Sequence, residues 1–138
     1  MKLLGFELGN IELEIDGEVY DLHNNFIFSG FSYDVAKREL VLRWTRGKGE
    51  WIPPGDPSEI VITAREVSHL SIVARDPEMP YSEDDCLHCI SFVEANGATA
   101  HSFVVSGPAD PHLHYVFQFM SGFILRVQAE EALCSISQ

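Results

Sequence analysis

From Ile11 to Leu22 apolar and polar side chains alternate. Ile11-Glu12-Leu13-Glu14-Ile15 is followed by Asp16-Gly17 and then by Glu18-Val19-Tyr20-Asp21-Leu22. A period of two places every second side chain on one face of a pleated strand. Asp-Gly supplies the two residues of positive φ that a tight hairpin turn requires. The same period predicts strands over residues 26–33 and 39–44, joined by the polar Asp34-Val35-Ala36-Lys37-Arg38, which reads as a second hairpin. Extended character resumes over residues 60–63, 67–74, 86–94, 100–105, 112–120 and 123–128.

Glycine and proline mark the intervals. Residues 45–57 hold Gly47, Gly49, Pro53, Pro54, Gly55 and Pro57, and no regular element survives that density of breakers. Residues 75–85 form an acidic, proline-bearing connection, Asn96-Gly97 is a turn dipeptide, and residues 107–111 break the chain again. Ala129-Glu130-Glu131-Ala132-Leu133-Cys134 is the one stretch of helical composition. The expectation is an α+β fold, mainly antiparallel β with about eight strands in a sandwich or rolled sheet, closed by a short C-terminal helix starting near Ala129. A parallel α/β fold is excluded, because crossover helices have no room. One echo runs through the pattern: Phe26-Ile27-Phe28-Ser29-Gly30-Phe31 and Phe117-Gln118-Phe119-Met120-Ser121-Gly122-Phe123 differ by one inserted residue.

At 138 residues, 46% hydrophobic and 22% charged, the chain reads as a single globular domain over residues 1–138 that can bury a core without staples. No apolar run approaches the roughly 18 residues of a membrane helix. MKLLGFELGNIELEI is a poor signal peptide, and three cysteines do not make a disulfide framework, so a cytoplasmic location is expected. Charge alters the picture most. Nine Lys and Arg stand against 21 Asp and Glu, a formal net charge of −12. Such a surface repels phosphate backbones and anionic lipid at long range, which argues against nucleic acid and membranes and favours rapid capture of a basic protein.

Asp84-Asp85-Cys86-Leu87-His88-Cys89-Ile90 is the most chemical-looking heptapeptide. A zinc or redox C-x-x-C needs a tight turn, or a cation or helix terminus to stabilise thiolate. Leu87, Ile90 and Phe92 instead ask for a pleated, buried surface, and strand alternation would send Cys86 and Cys89 to opposite faces. The acidic run before Cys86 would raise its pKa. A strand is therefore expected here.

His112-Leu113-His114, a short step after Gly107, resembles the first metal motif of cupin barrels. That resemblance implies a small metal-dependent or ligand-binding barrel, with His88 or His101 completing the ligand set. The carboxylate expected shortly afterwards is missing, since none follows before Glu130. Lys37, Arg38, Arg43, Arg46 and Lys48, flanked by Trp44 and Trp51, have the composition of a base-stacking surface, but the overall charge opposes it. No nucleophile elbow, phosphate loop, dinucleotide fingerprint or H-E-x-x-H motif occurs, so no catalytic residue and no cofactor is assigned. Phe26, Phe28, Trp44, Trp51 and Phe123 are more large apolar groups than a small core hides, so a patch left outside would predict a structural, homodimerising module.

Phe28-Ser29-Gly30-Phe31-Ser32-Tyr33-Asp34 with Arg38-Glu39-Leu40-Val41-Leu42, Val67-Ser68-His69-Leu70-Ser71-Ile72, and the segment Phe119 to Val127 together resemble small uncharacterised bacterial proteins of the toxin-immunity type. The resemblance lies in strand pattern and carries no catalytic residue. It implies a non-enzymatic protein that neutralises a basic partner. The residues for that role are Asp76, Glu78, Glu83, Asp84 and Asp85, five carboxylates in ten residues, with Tyr81 as an aromatic anchor and Pro77 and Pro80 limiting flexibility.

Overall fold

The computed structural model describes residues 1–94 and 112–138 and, between them, the backbone of His101 and Ser102. The expected Asn96-Gly97 turn, the break over 107–111 and most of the strand over 100–105 lie outside the described residues. The strands in chain order are β1 (Lys2–Leu4), β2 (Phe6–Leu8), β3 (Glu12–Ile15), β4 (Glu18–Asp21), β5 (Phe26–Asp34), β6 (Glu39–Arg46), β7 (Glu59–Arg65), β8 (His69–Val73), β9 (Leu87–Val93), β10 (His101–Ser102), β11 (His114–Phe119), β12 (Ile124–Gln128) and β13 (Glu131–Ser137). They form a five-stranded sheet in the order β1-β13-β7-β6-β5, a second in the order β10-β9-β11-β12-β8, and a three-stranded sheet β2-β3-β4.

The architecture is thus all-β, and the expected α+β class with its C-terminal helix is wrong. Among the described residues the only helical element is a single 3₁₀ turn at Tyr81–Glu83. The segment expected to be helical lies largely in β13, which pairs antiparallel with β7 along its whole length and parallel with β1. Two turns of isolated helix are marginal whatever their composition. The strand satisfies its backbone on both sides, buries Ala132 fully and places Glu131 beside Arg65 at 3.9 Å. Ala132, Cys134 and Ile136 alternate with Leu133, Ser135 and Ser137, so the period-two signal was present beneath the helix formers. The N-terminal strands β1 and β2 were also not expected. Gly5, at φ 76°, breaks them apart so that one joins the first five-stranded sheet and the other the small sheet.

Local turn chemistry is as the pattern implies. Asp16 and Gly17 have φ of 54° and 82°, and β3 and β4 pair across them from Ile15↔Glu18 outward. The β5–β6 turn closes with Arg38 at φ 50°, held by Lys37 N–H to Asp34 Oδ1 at 3.0 Å and by an ion pair between Arg38 and Glu66.

The two larger sheets face each other through aromatic rings. Trp44 of β6 lies 6.0 Å from Phe117 of β11, and Phe28 of β5 lies 4.5 Å from Phe119. One contiguous core draws on all three sheets, from Phe6, Leu13 and Tyr20 of the small sheet to Leu40, Trp44 and Ile62 of the first and Leu87, Phe117 and Val127 of the second. Phe26, Phe28 and Trp44 are buried and Phe123 is partly buried against the core, so of the five groups invoked for a homodimer patch only Trp51 stands in solvent, 73% exposed. Four of the five cations read there have internal partners: Lys37 lies 3.9 Å from Asp34, Arg38 pairs with Glu66, Arg43 sits 3.8 Å from Glu59, and Arg46 donates to the Pro53 carbonyl. Trp44 is buried in the core and Trp51 is exposed, so the two tryptophans do not share one surface.

Candidate protein-docking face

The connection from β8 to β9 is the acidic segment, and its shape follows from its sequence. Pro80, at φ −59° and ψ 145°, stops the chain before the 3₁₀ turn, and Asp76 Oδ1 accepts the Glu78 N–H in an Asx-type turn. Backbone bonds then stitch the loop to the turn between β11 and β12: Asp76 N–H to Ser121 O, Ser121 N–H to Glu83 O, and Met120 N–H to Cys86 O. A connection pinned on both sides presents its side chains from a fixed frame.

Arg75 organises those side chains. Its Nε donates to Asp84 Oδ1 at 2.7 Å, its Nη2 donates to the Met79 carbonyl at 2.7 Å, and its guanidinium lies 4.6 Å from the centre of the Tyr81 ring. The Arg75 hydrogen bond holds the Asp84 carboxyl below its ordinary pKa. Tyr81, 82% exposed, is therefore supported from beneath by a cation whose own charge is met inside the loop.

The six residues expected to form the site share this loop but not one role. Asp76, Glu78 and Tyr81 are exposed, and Glu83, Asp84 and Asp85 are half-buried. Asp84 is spent on Arg75. Asp85 does something the sequence did not signal: its backbone carbonyl accepts the N–H of Phe28 at 2.8 Å, joining the loop to the margin of β5. Arg75 is not among the expected site residues, although a lone arginine at the head of a carboxylate run was the available signal.

Asp85 also lines a cleft of about 280 Å³ with His23, Phe26, Ile27, Lys48, Trp51 and Cys86. The indole of Trp51 packs across Gly49 and donates Nε1–H to the Asn24 carbonyl at 3.3 Å. Cys86 Sγ lies 3.8 Å from His23 Nδ1, but that nitrogen is bound to the Leu87 carbonyl, so it carries the proton and cannot take one from the thiol. Burial and the carboxylates of Glu83 and Asp85 push the Cys86 thiol up, as expected from the acidic run. The geometry does not build a thiolate nucleophile.

The C-L-H-C stretch needs one correction. β9 begins at Leu87, with Cys86 outside it, and the pairing skips from Gln118↔Cys89 to Phe119↔Leu87. His88 is the extra residue of a bulge, which lets Leu87 and Ile90 both enter the core, so simple alternation does not hold here. All three cysteines are free.

The expected metal set does not assemble among the described residues, where no three His, Cys, Asp or Glu side chains converge as ion ligands. His88 and His112 are exposed, and the side chain of His101 lies outside the described residues. His114 instead meets His69 of β8, ring centres 4.6 Å apart, and its Nδ1 accepts from Arg126 Nε at 2.9 Å. Burial, reinforced by the Arg126 charge, lowers the pKa of both histidines. His69 was not singled out in the sequence, because its partner lies 45 residues away, from 69 to 114.

No protein-family model, no curated protein and no solved structure matches this chain. No helix among the described residues is long and apolar enough to cross a membrane.

Proposed function

We propose that the chain is a non-enzymatic binding protein that captures a basic protein partner on the loop between β8 and β9. The observation that carries this reading is Tyr81: a large ring, 82% exposed and held against Arg75, in the same loop as Asp76, Glu78, Glu83 and Asp85. An aromatic group already fixed in place loses little entropy when a partner closes over it. Carboxylates around it steer a cationic surface inward, within a chain of net charge −12. The narrower form of the proposal, in which the partner is a basic toxin, rests on the resemblance of the Phe28–Asp34, Arg38–Leu42, Val67–Ile72 and Phe119–Val127 segments to small uncharacterised bacterial proteins of the toxin-immunity type.

The test compares the wild-type chain with Asp76→Asn/Glu78→Gln/Glu83→Gln/Asp85→Asn as bait for partners in the native host, followed by binding kinetics. Neutralisation is expected to slow association and flatten its salt dependence, and Tyr81→Ala to speed dissociation. Partners captured equally by both baits would overturn the proposed face.

A further inference from the structure

The first five-stranded sheet ends at β5, whose only strand partner among the described residues is β6. Along an antiparallel pair, residues alternately bond to their neighbour or turn both backbone groups away from it. The surrounding bonds set the phase. Arg46 N–H goes to Ser58 on the β7 side, and Gly47 N–H goes to Asn25 on the β5 side. Residues 43 and 45 therefore bond toward β5, whereas Leu40, Leu42 and Trp44 bond toward β7. Their opposites on β5, Tyr33, Phe31 and Phe28, point N–H and C=O outward.

Phe28 has an answer: its outward N–H meets the carbonyl of Asp85. The molecule begins an added strand there and stops. Beyond the bulge at Gly30, the outward groups of Phe31 and Tyr33 meet no partner among the described residues, and residues 31–34 are all exposed. Unpaired edge groups are a template for another extended chain. The side chains beside them suit such a visitor, because Phe31 and Tyr33 share a face with the buried Leu42 and Leu40 yet remain about a third exposed, at 37% and 36%. Phe31 also stacks on Phe123 at 6.3 Å, which gives the edge a firm floor.

Charge selects the visitor. A strand laid along Phe31–Tyr33 runs toward the position that Asp85 occupies, at the end of the acidic loop. A second copy of this chain would set one molecule of net charge −12 against another. We infer that the open edge of β5 at Phe31–Tyr33 takes up a cationic, extended segment of a partner protein as an added strand. This deepens the function proposed above and rests on it for the sign of the partner's charge.

The probe is a short peptide alternating lysine and valine, with three controls: the same peptide N-methylated on the amides of one edge, a threonine–valine version and a glutamate–valine version. Binding is followed by fluorescence anisotropy and by hydrogen exchange of the Phe31 and Tyr33 amides. The expected result is binding of the lysine peptide with protection of both amides, weakened about tenfold by N-methylation and absent for the glutamate version. Tyr33→Pro, which removes an outward donor without touching the β6 ladder, is expected to weaken binding similarly. Binding to the acidic loop with the two amides unprotected would overturn the edge while leaving the proposed function standing. Equal binding of the threonine peptide would overturn the charge selection, and no binding of the lysine peptide would overturn the inference as a whole. Protection that rises with protein concentration alone would identify a second copy as the occupant and overturn the inference.

Discussion

Two segments of this chain carry nearly the same order of residues and meet opposite fates. Phe26 to Phe31 and Phe117 to Phe123 each set two phenylalanines two apart and follow them with glycine and a further phenylalanine. In the fold they face one another, Phe28 against Phe119 at 4.5 Å and Phe31 against Phe123 at 6.3 Å. In the first segment Gly30, at φ 133°, makes a bulge inside a continuous strand. In the second, with one more residue, Gly122 at φ 82° completes a turn, and the chain reverses into β12. β11 is then flanked by β9 and β12, while β5 stays at a margin. The inserted residue next to glycine decides a local matter, whether the backbone resumes its ladder as a bulge or folds back as a turn, while the order of the sheets puts one strand inside and the other at an edge.

The largest effect that would break this comparison lies in the shared aromatic contact. Phe28→Ala and Phe119→Ala are each expected to cost about 3–5 kcal/mol, read from the urea midpoint, because both rings are buried between the sheets. Phe31→Ala should cost about 1–2 kcal/mol, since its ring is already part exposed. Equal losses at Phe28 and Phe31 would mean that the β5 margin is as closed as the core.

Glycine substitution sharpens the comparison at the next level. Gly30→Ala and Gly122→Ala are each expected to cost about 1–3 kcal/mol through backbone strain alone. The added methyl meets nothing within 4 Å at Gly30, and only the Asp76 backbone N at 3.5 Å and Cβ at 3.7 Å at Gly122. Gly30→Ala retaining full stability by thermal unfolding would show that the bulge needs no glycine.

The smallest effect belongs to pH. The β8–β11–β12 side carries the His69–His114 pair, which the β5 side lacks. Both folded-state pKa values lie below the ordinary histidine value of 6.5, so the unfolded chain binds protons more readily. The stability this contributes is present above pH 6.5 and is lost as pH falls through the depressed folded-state values. The unfolding midpoint should fall over that window, and His69→Gln/His114→Gln should flatten the slope. An unchanged slope in the double variant would remove the histidines as its cause.

Much of this architecture was legible along the chain. The alternation of Ile11 to Leu22, its Asp-Gly turn, the β5–β6 hairpin and the breaker-dense stretch after Thr45 are local matters of period and turn chemistry, and neighbours a few residues apart settle them. The acidic loop was legible for the same reason, since prolines interrupt regular elements and carboxylates do not enter a core unpaired. Tertiary structure alone decided the rest. Ala129 to Cys134 read as helix until β7 and β1 offered hydrogen bonds on both sides. His88 bulged because Leu87 and Ile90 both had core to fill. Arg75 found Asp84 and Tyr81 only when the loop had closed, and β5 became an edge only when the order of the sheet was set. Local sequence determines which conformations a segment favours, but the partners that satisfy its backbone and cover its side chains come from distant parts of the chain, and their contribution exceeds the small differences in propensity between strand and helix.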